Sequence, residues 1–214
     1  MKLARGPGPV KDGLGARFSR RLPGSCPVFR WGGAATGEFL WADPPGLCPH
    51  RGAGKVQSVK LFLVRHAQAI SEGARRSDEQ RFLTLDGRKT ARAVGKRLAE
   101  DAIRFDAILT SPLVRAVQTA ELLAQGMGYT GTIESYFALA PGLPPRLVAE
   151  EAFNHGLEVA VVGHEPTISA LGALLTQSPS FPPFRPGQVV LVERGVAKWA
   201  IRPDTLERVD VRIA

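Results

Sequence analysis

The sequence predicts an α/β protein in which a mostly parallel sheet is covered by helices on both faces. Three observations lead there. From Val59 onward, short apolar runs alternate with amphipathic stretches of helical period, as strands joined by crossover helices do. Two of the runs are followed at once by Ser111-Pro112 and by Gly163, which punctuate a chain leaving a strand. The last two runs are joined by a dipeptide turn instead of a helix, which places an antiparallel pair at the end of the sheet.

Taken in order, Val59–Val64 is the first strand. Leu85–Ala99 sets Leu85, Ala91, Val94 and Leu98 on one helical face, with Thr84 as its N-cap. Phe105–Thr110 is the next strand. Ser111 and Pro112 have the residue types preferred at the N-cap and first position of a helix running to about Gln125. Leu157–Val162 reads as a buried strand, Gly163 permits a tight turn, and Pro166 opens an apolar helix through Leu175. Gln188–Glu193 and Val196–Arg202, joined at Arg194-Gly195, form the closing hairpin. There is no internal repeat.

Ahead of this pattern, residues 1–58 have a different texture. They hold nine basic residues against three acidic ones, a net charge of +6, whereas the other 156 residues carry +2 of the total +8. Gly and Pro make up 18 of these 58 residues, and no helical or strand period is sustained. This stretch reads as a disordered extension, and we place the native start near Val59, with 59–214 as the folded domain. Arg20-Arg21 resembles an export signal, but Pro23, Pro27, Arg30 and Glu38 interrupt the apolar segment that should follow. The scattered cations form no patch, so nucleic acid is not an expected partner. No run approaches the roughly 18 apolar residues of a membrane span. The two cysteines, Cys26 and Cys48, support neither a disulfide scaffold nor a four-ligand zinc site, and a reducing, cytoplasmic compartment is expected.

In open α/β sheets, ligands bind outside the carboxyl ends of strands, and here those positions hold Arg65 and His66, Ser111 with Arg115 one helical turn beyond, and Gly163 with His164. Two arginines and two histidines converging on one edge suit a phosphoryl group. Planar guanidinium forks bind phosphate oxygens in pairs, each charge-assisted hydrogen bond contributing roughly 1.5–3 kcal/mol. A binding pocket needs no imidazole, so the histidines point to a reaction: neutral His66 attacks phosphorus while Arg65, Arg115 and His164 hold the oxygens. Because two arginines disfavour protonation of His66, activity is expected to persist into moderate acid. Gln68, Ser111 and Glu134 are further candidates for the pocket, and His155, with no strand-end position, is a surface histidine. A Cys-x5-Arg loop, an Asp-x-Asp nucleophile motif and Gly-rich nucleotide loops do not occur in the sequence, and no metal or other cofactor is expected.

The segments LFLVRHAQA (61–69), LTLDGRKTA (83–91), ILTSPLVRAVQTAELL (108–123), VAVVGHEPTIS (159–169) and KWAIRP (198–203) resemble, in order and spacing, the histidine phosphatase superfamily. Within it they are similar to the small SixA-type phosphohistidine phosphatases. The resemblance implies a phosphoglycerate mutase-like three-layer α/β/α sandwich and metal-free dephosphorylation of phosphohistidine on a partner protein, such as a phosphotransfer domain. It also implies a monomer. His66 then corresponds to the phospho-accepting nucleophile, Arg65 and Arg115 to phosphate ligands, and His164 to the second pocket histidine. Two departures stand out. Ala67 replaces the usual Gly after the nucleophile, and SYFALAPG (135–142) holds no carboxylate where phosphomonoesterases of the superfamily keep a general acid; Glu134 precedes it and Glu150 and Glu151 follow. A missing acid matters least for phosphohistidine, whose imidazole leaves readily, and most for alkyl phosphates. Small-molecule phosphomonoesterase activity and noncatalytic phosphate binding are the alternatives.

Overall fold

Apolar runs without polar interruption form the centre of the sheet. The computed structural model describes residues 58–71, 77–211 and 213, and the expectations for the extension lie outside them. β1 (Lys60–Arg65), β2 (Ala107–Thr110) and β4 (Glu158–Gly163) are buried over most or all of their length, and β3 (Ile133–Ser135) lies at one edge. The strand order is β3-β2-β4-β1-β5-β6-β7, completed by β5 (Val189–Glu193), β6 (Val196–Ile201) and β7 (Arg208–Asp210). The first four strands in that order pair in parallel. β1 pairs antiparallel with β5, and β6 and β7 continue antiparallel, so the antiparallel half is larger than the terminal hairpin expected.

Alternate side chains along each strand enter opposite cores, as strand geometry requires. On one face Phe62, Val64, Ile108 and Val162 pack against α1 (Leu85–Glu100) and α2 (Val114–Met127). On the other, Leu61, Leu63, Leu109 and Val161 pack against α3 (Pro145–Ala152) and α4 (Thr167–Thr176). Three layers, helix on sheet on helix, are the result.

Thr84 caps α1 as expected, its hydroxyl accepting from Gly87 N at 3.0 Å. The start of α2 departs from expectation. Ser111 N still donates to Val162 O, which keeps Ser111 in the strand ladder, and the first helical bonds go to the Leu113 carbonyl. The helix therefore begins two residues later than its sequence signal, and the Ser111 hydroxyl is left for another partner.

β4 lies between β1 and β2, and this ordering creates the site. The register sets Arg65 opposite Gly163 and Thr110 opposite Val162. The residues immediately beyond, His66, His164 and Ser111, consequently leave three adjacent strands at one level.

Candidate active site

His66 stands on a backbone held from three sides. Its N–H donates to Gly163 O at 2.9 Å, its carbonyl accepts from Gly187 N at 3.1 Å, and the next N–H, of Ala67, donates to Thr119 Oγ1 at 3.1 Å. Thr119 in turn donates to Arg115 O at 2.7 Å, one turn back in α2, so the segment carrying the histidine is tied to the helix carrying the arginine. The Ala67 methyl is buried against Leu83 and Ala91, so the protein accommodates Ala at the position where Gly was expected.

The His66 and His164 rings face each other with centroids 4.9 Å apart and planes tilted by 54°. His66 Nδ1 lies 2.8 Å from the Ala67 carbonyl. A carbonyl only accepts, so Nδ1 carries the proton and Nε2 keeps its lone pair. His164 Nε2 lies 2.8 Å from Ser111 Oγ. Both rings are kept neutral. Burial, joined by the nearby Arg115, Arg65 and Arg81 charges, lowers the His66 pKa to about 4, against the bond to Ala67, which favours the charged form. Burial also lowers His164, to about 3, with His66 and Arg115 adding to the effect.

The two arginines are anchored at their terminal nitrogens. Arg65 Nη1 donates to the Phe184 carbonyl, and Phe184 N donates to Glu165 Oε1 at 2.9 Å, which places the strip 184–187 against the end of β1. Arg115 is buried and gives Nη1 to the Asp78 carbonyl at 2.6 Å and Nη2 to Asp78 Oδ2 at 2.8 Å. Asp78 Oδ1 accepts from Arg81 Nη1 at 2.9 Å, and Arg81 Nε reaches Ile70 O. Burial alone would raise the Asp78 carboxyl, but the hydrogen bonds and charges of Arg115 and Arg81 outweigh it and hold the group below its ordinary value.

Among the described residues, four buried side-chain polar atoms have no partner, and three of them are Arg65 Nε, Arg115 Nε and His164 Nδ1. Buried polar atoms are almost always satisfied, so three orphans in one cluster of two guanidinium groups and an imidazole describe a receptor for a multidentate anion. The same residues offer no metal site: among the described residues no group of three or more His, Cys, Asp or Glu side chains can hold an ion.

The structure thus brings together Arg65, His66, Arg115, His164 and Ser111. Two further candidates have partners of their own. Gln68 is exposed and its carboxamide oxygen accepts from the Thr84 hydroxyl at 3.2 Å, at the start of α1. Glu134 lies in β3 opposite Leu109, with Oε1 3.6 Å from His155 Nδ1, while His155 Nε2 meets Glu151 at 2.9 Å. The carboxylate before 135–142 therefore lies beside the His155 ring. Asp78, Arg81 and Thr119 are the site residues that the sequence did not reveal. For Thr119 a signal was present, four residues after Arg115 and so on the same helical face; Asp78 and Arg81 sit in a segment without period. Arg75 and Arg76 lie outside the described residues.

Residues 61–138 match the model of the histidine phosphatase superfamily, branch 1. An uncharacterized protein of Picosynechococcus sp. is 31% identical over 121 residues, which cover 51% of this chain and 68% of that protein. The chain belongs to the histidine phosphatase superfamily. As a member it is a phosphatase. The structure of the protein histidine phosphatase SixA complexed with tungstate superposes with a TM-score of 0.62 at 25% identity, over 70% of this chain and all of that one. A phosphoglycerate mutase from Bacillus anthracis shares the fold, with a TM-score of 0.52 at 18% identity, over 72% of this chain and 93% of the mutase. The mitochondrial serine/threonine-protein phosphatase Pgam5 of Drosophila persimilis is 34% identical over 85 residues; these are 39% of this chain and 29% of Pgam5, so the match spans less than a third of that relative. No helix among the described residues is long and apolar enough to cross a membrane.

Proposed function

We propose that this histidine phosphatase removes phosphate from phosphohistidine on a partner protein through a covalent intermediate at His66. The observation that carries the choice of substrate is the state of Asp78, the carboxylate bound to Arg115. Both its oxygens are bound by guanidinium groups and it is held ionised. An ionised, doubly bound carboxylate has no proton to give an alkoxide. With the ring nitrogen remote from phosphorus first protonated by water, the group leaves as neutral imidazole, a far weaker base than an alkoxide, so phosphohistidine needs no such donor.

The geometry supports each step on this reading. Neutral His66 presents the Nε2 lone pair because Nδ1–H is committed to Ala67 O. The new P–N bond forms at Nε2 as the substrate's P–N bond breaks, its electron pair staying on the departing imidazole. Arg65 Nε, Arg115 Nε and His164 Nδ1 take the phosphoryl oxygens, three donors fixed in a buried site where reorganisation costs little. Water then attacks phosphorus, the bond to His66 breaks, inorganic phosphate leaves, and the water proton passes to solvent. Similarity to SixA, a named protein histidine phosphatase whose structure holds a tetrahedral oxyanion, supports this substrate class over alkyl phosphates.

The test is hydrolysis of a phosphohistidine-bearing phosphotransfer domain beside a panel of alkyl phosphate monoesters, with the His66→Ala variant run against each. Loss of phosphohistidine should be fast, monoester turnover slow, and His66→Ala inactive with no acid-labile phosphate trapped on the enzyme. Faster turnover of alkyl monoesters, or an active His66→Ala, would overturn the assignment.

A further inference from the structure

We infer that Ser111 is a positioning residue: its hydroxyl fixes the tautomer of His164, so that an uncharged imidazole presents an N–H to the phosphoryl group. The inference rests on the anion-receptor reading of the pocket and adds a residue whose hydroxyl need not touch the substrate.

Two tautomers of neutral His164 are open, and the surroundings treat them unequally. With the proton on Nε2, the ring donates to Ser111 Oγ at 2.8 Å and leaves the buried, partnerless Nδ1 as a lone pair, which repels an anion, in a site where the Arg115 and Arg65 charges act on the ring. With the proton on Nδ1, the ring adds a third buried, unpartnered donor to Arg65 Nε and Arg115 Nε, and Nε2 must accept. A hydroxyl can supply that bond. The other half of the argument is the second contact of Ser111: its Oγ accepts from Leu113 N at 3.4 Å, which engages an oxygen lone pair and leaves the O–H free to point at His164.

The backbone explains why the hydroxyl is available. Ser111 was expected to cap the helix beginning at Pro112, but its N–H continues the strand ladder to Val162 O and α2 begins at Val114. Ser111 is fully buried, so water does not compete for the hydroxyl. A side chain with the residue type of a cap thus serves as the outer partner of an imidazole, as outer hydrogen bonds fix tautomers in other histidine sites. His164 binds as a neutral donor, which adds no positive charge that would hold the phosphate product.

The experiment is long-range proton–nitrogen NMR of the histidine-labelled full chain with saturating inorganic phosphate at neutral pH. His164→Gln identifies the His164 resonances, and Ser111→Ala and Ser111→Thr are compared with wild type. In wild type, Nδ1 should be protonated and Nε2 bare. Ser111→Ala should mix the tautomers and weaken phosphate binding about tenfold, the scale of one buried hydrogen bond, and Ser111→Thr, which restores a hydroxyl, should recover both. A proton on Nε2 of phosphate-bound wild type overturns the inference, as does a Ser111→Ala variant with unchanged tautomer and affinity. If Ser111→Ala does not fold, the wild-type spectrum decides alone. The readout needs no turnover: the predicted tautomer in an enzyme that leaves phosphohistidine intact would sink the proposed substrate and keep this inference.

Discussion

Asp78 and His66 hold the chemistry in opposite states, one charged and one neutral, and each state can be tested. If Asp78 only orients Arg115 and Arg81, Asp78→Asn should depress turnover of phosphohistidine and of an alkyl monoester by the same factor, about tenfold for the loss of a charged partner to a buried arginine. A loss confined to the monoester would identify Asp78 as a proton donor after all. For His66, burial and three arginine charges oppose protonation, so an NMR pH titration of its ring should show a midpoint at about 4. A midpoint near 6.5 would mean that the nucleophile is substantially charged below neutrality. The principal site residues were legible in the sequence because Arg65, His66 and His164 follow apolar runs directly and Arg115 lies one turn beyond another. Asp78 was not: it reaches Arg115 across 37 residues from a segment with no period, and only the folded chain brings them together. The orientation of Glu134 was hidden for the related reason that a three-residue edge strand does not announce which face its side chains occupy.

At the level of elements, the contact between α1 and α2 controls where Arg115 and Thr119 sit. A Cβ at Gly95 would lie 2.1 Å from Leu123 O, and one at Gly126 would lie 2.2 Å from Arg92 O, so the two backbones touch at paired glycines. Neither obstacle is a flexible tip. Gly95→Ala must therefore push the helices apart, and urea unfolding should register a loss of about 1–3 kcal/mol, as for other overpacked cores; unchanged stability would show that the crossing has slack. α1 was readable because Ala91, Val94 and Leu98 share one buried face behind the Thr84 cap, although Leu85, expected on that face, is exposed. α3 was not, since it is eight residues long and starts at the second of two consecutive prolines that read as loop. β3 and β7, three residues each, fall below any periodic signal. The antiparallel pairing of β1 with β5 joins strands more than a hundred residues apart, and no local pattern encodes a partner at that distance.

For the molecule as a whole, keeping two imidazoles neutral in its interior makes stability depend on pH in a defined direction. His66 has its pKa lowered to about 4 and His164 to about 3, whereas both return to about 6.5 when the chain unfolds. Between those values the unfolded state binds protons that the native state refuses, so unfolding free energy rises with pH across the window. The stabilisation is complete above pH 6.5 and is lost as pH falls toward 4, on the order of 3 kcal/mol for His66 alone. The two rings repel each other when charged, so their contributions do not simply add. Asp78 acts in the same direction but lower: its carboxyl is held below 3.8, and its share is lost only under stronger acid. The windows are thus separable. Urea unfolding at pH 7, 5.5 and 4.5 should show a steady decline in wild type, and a His66→Gln, His164→Gln double variant should be nearly flat over the same range. An equal decline in both proteins would move the source of acid sensitivity away from the active site, and with it the claim that the pocket holds both histidines uncharged.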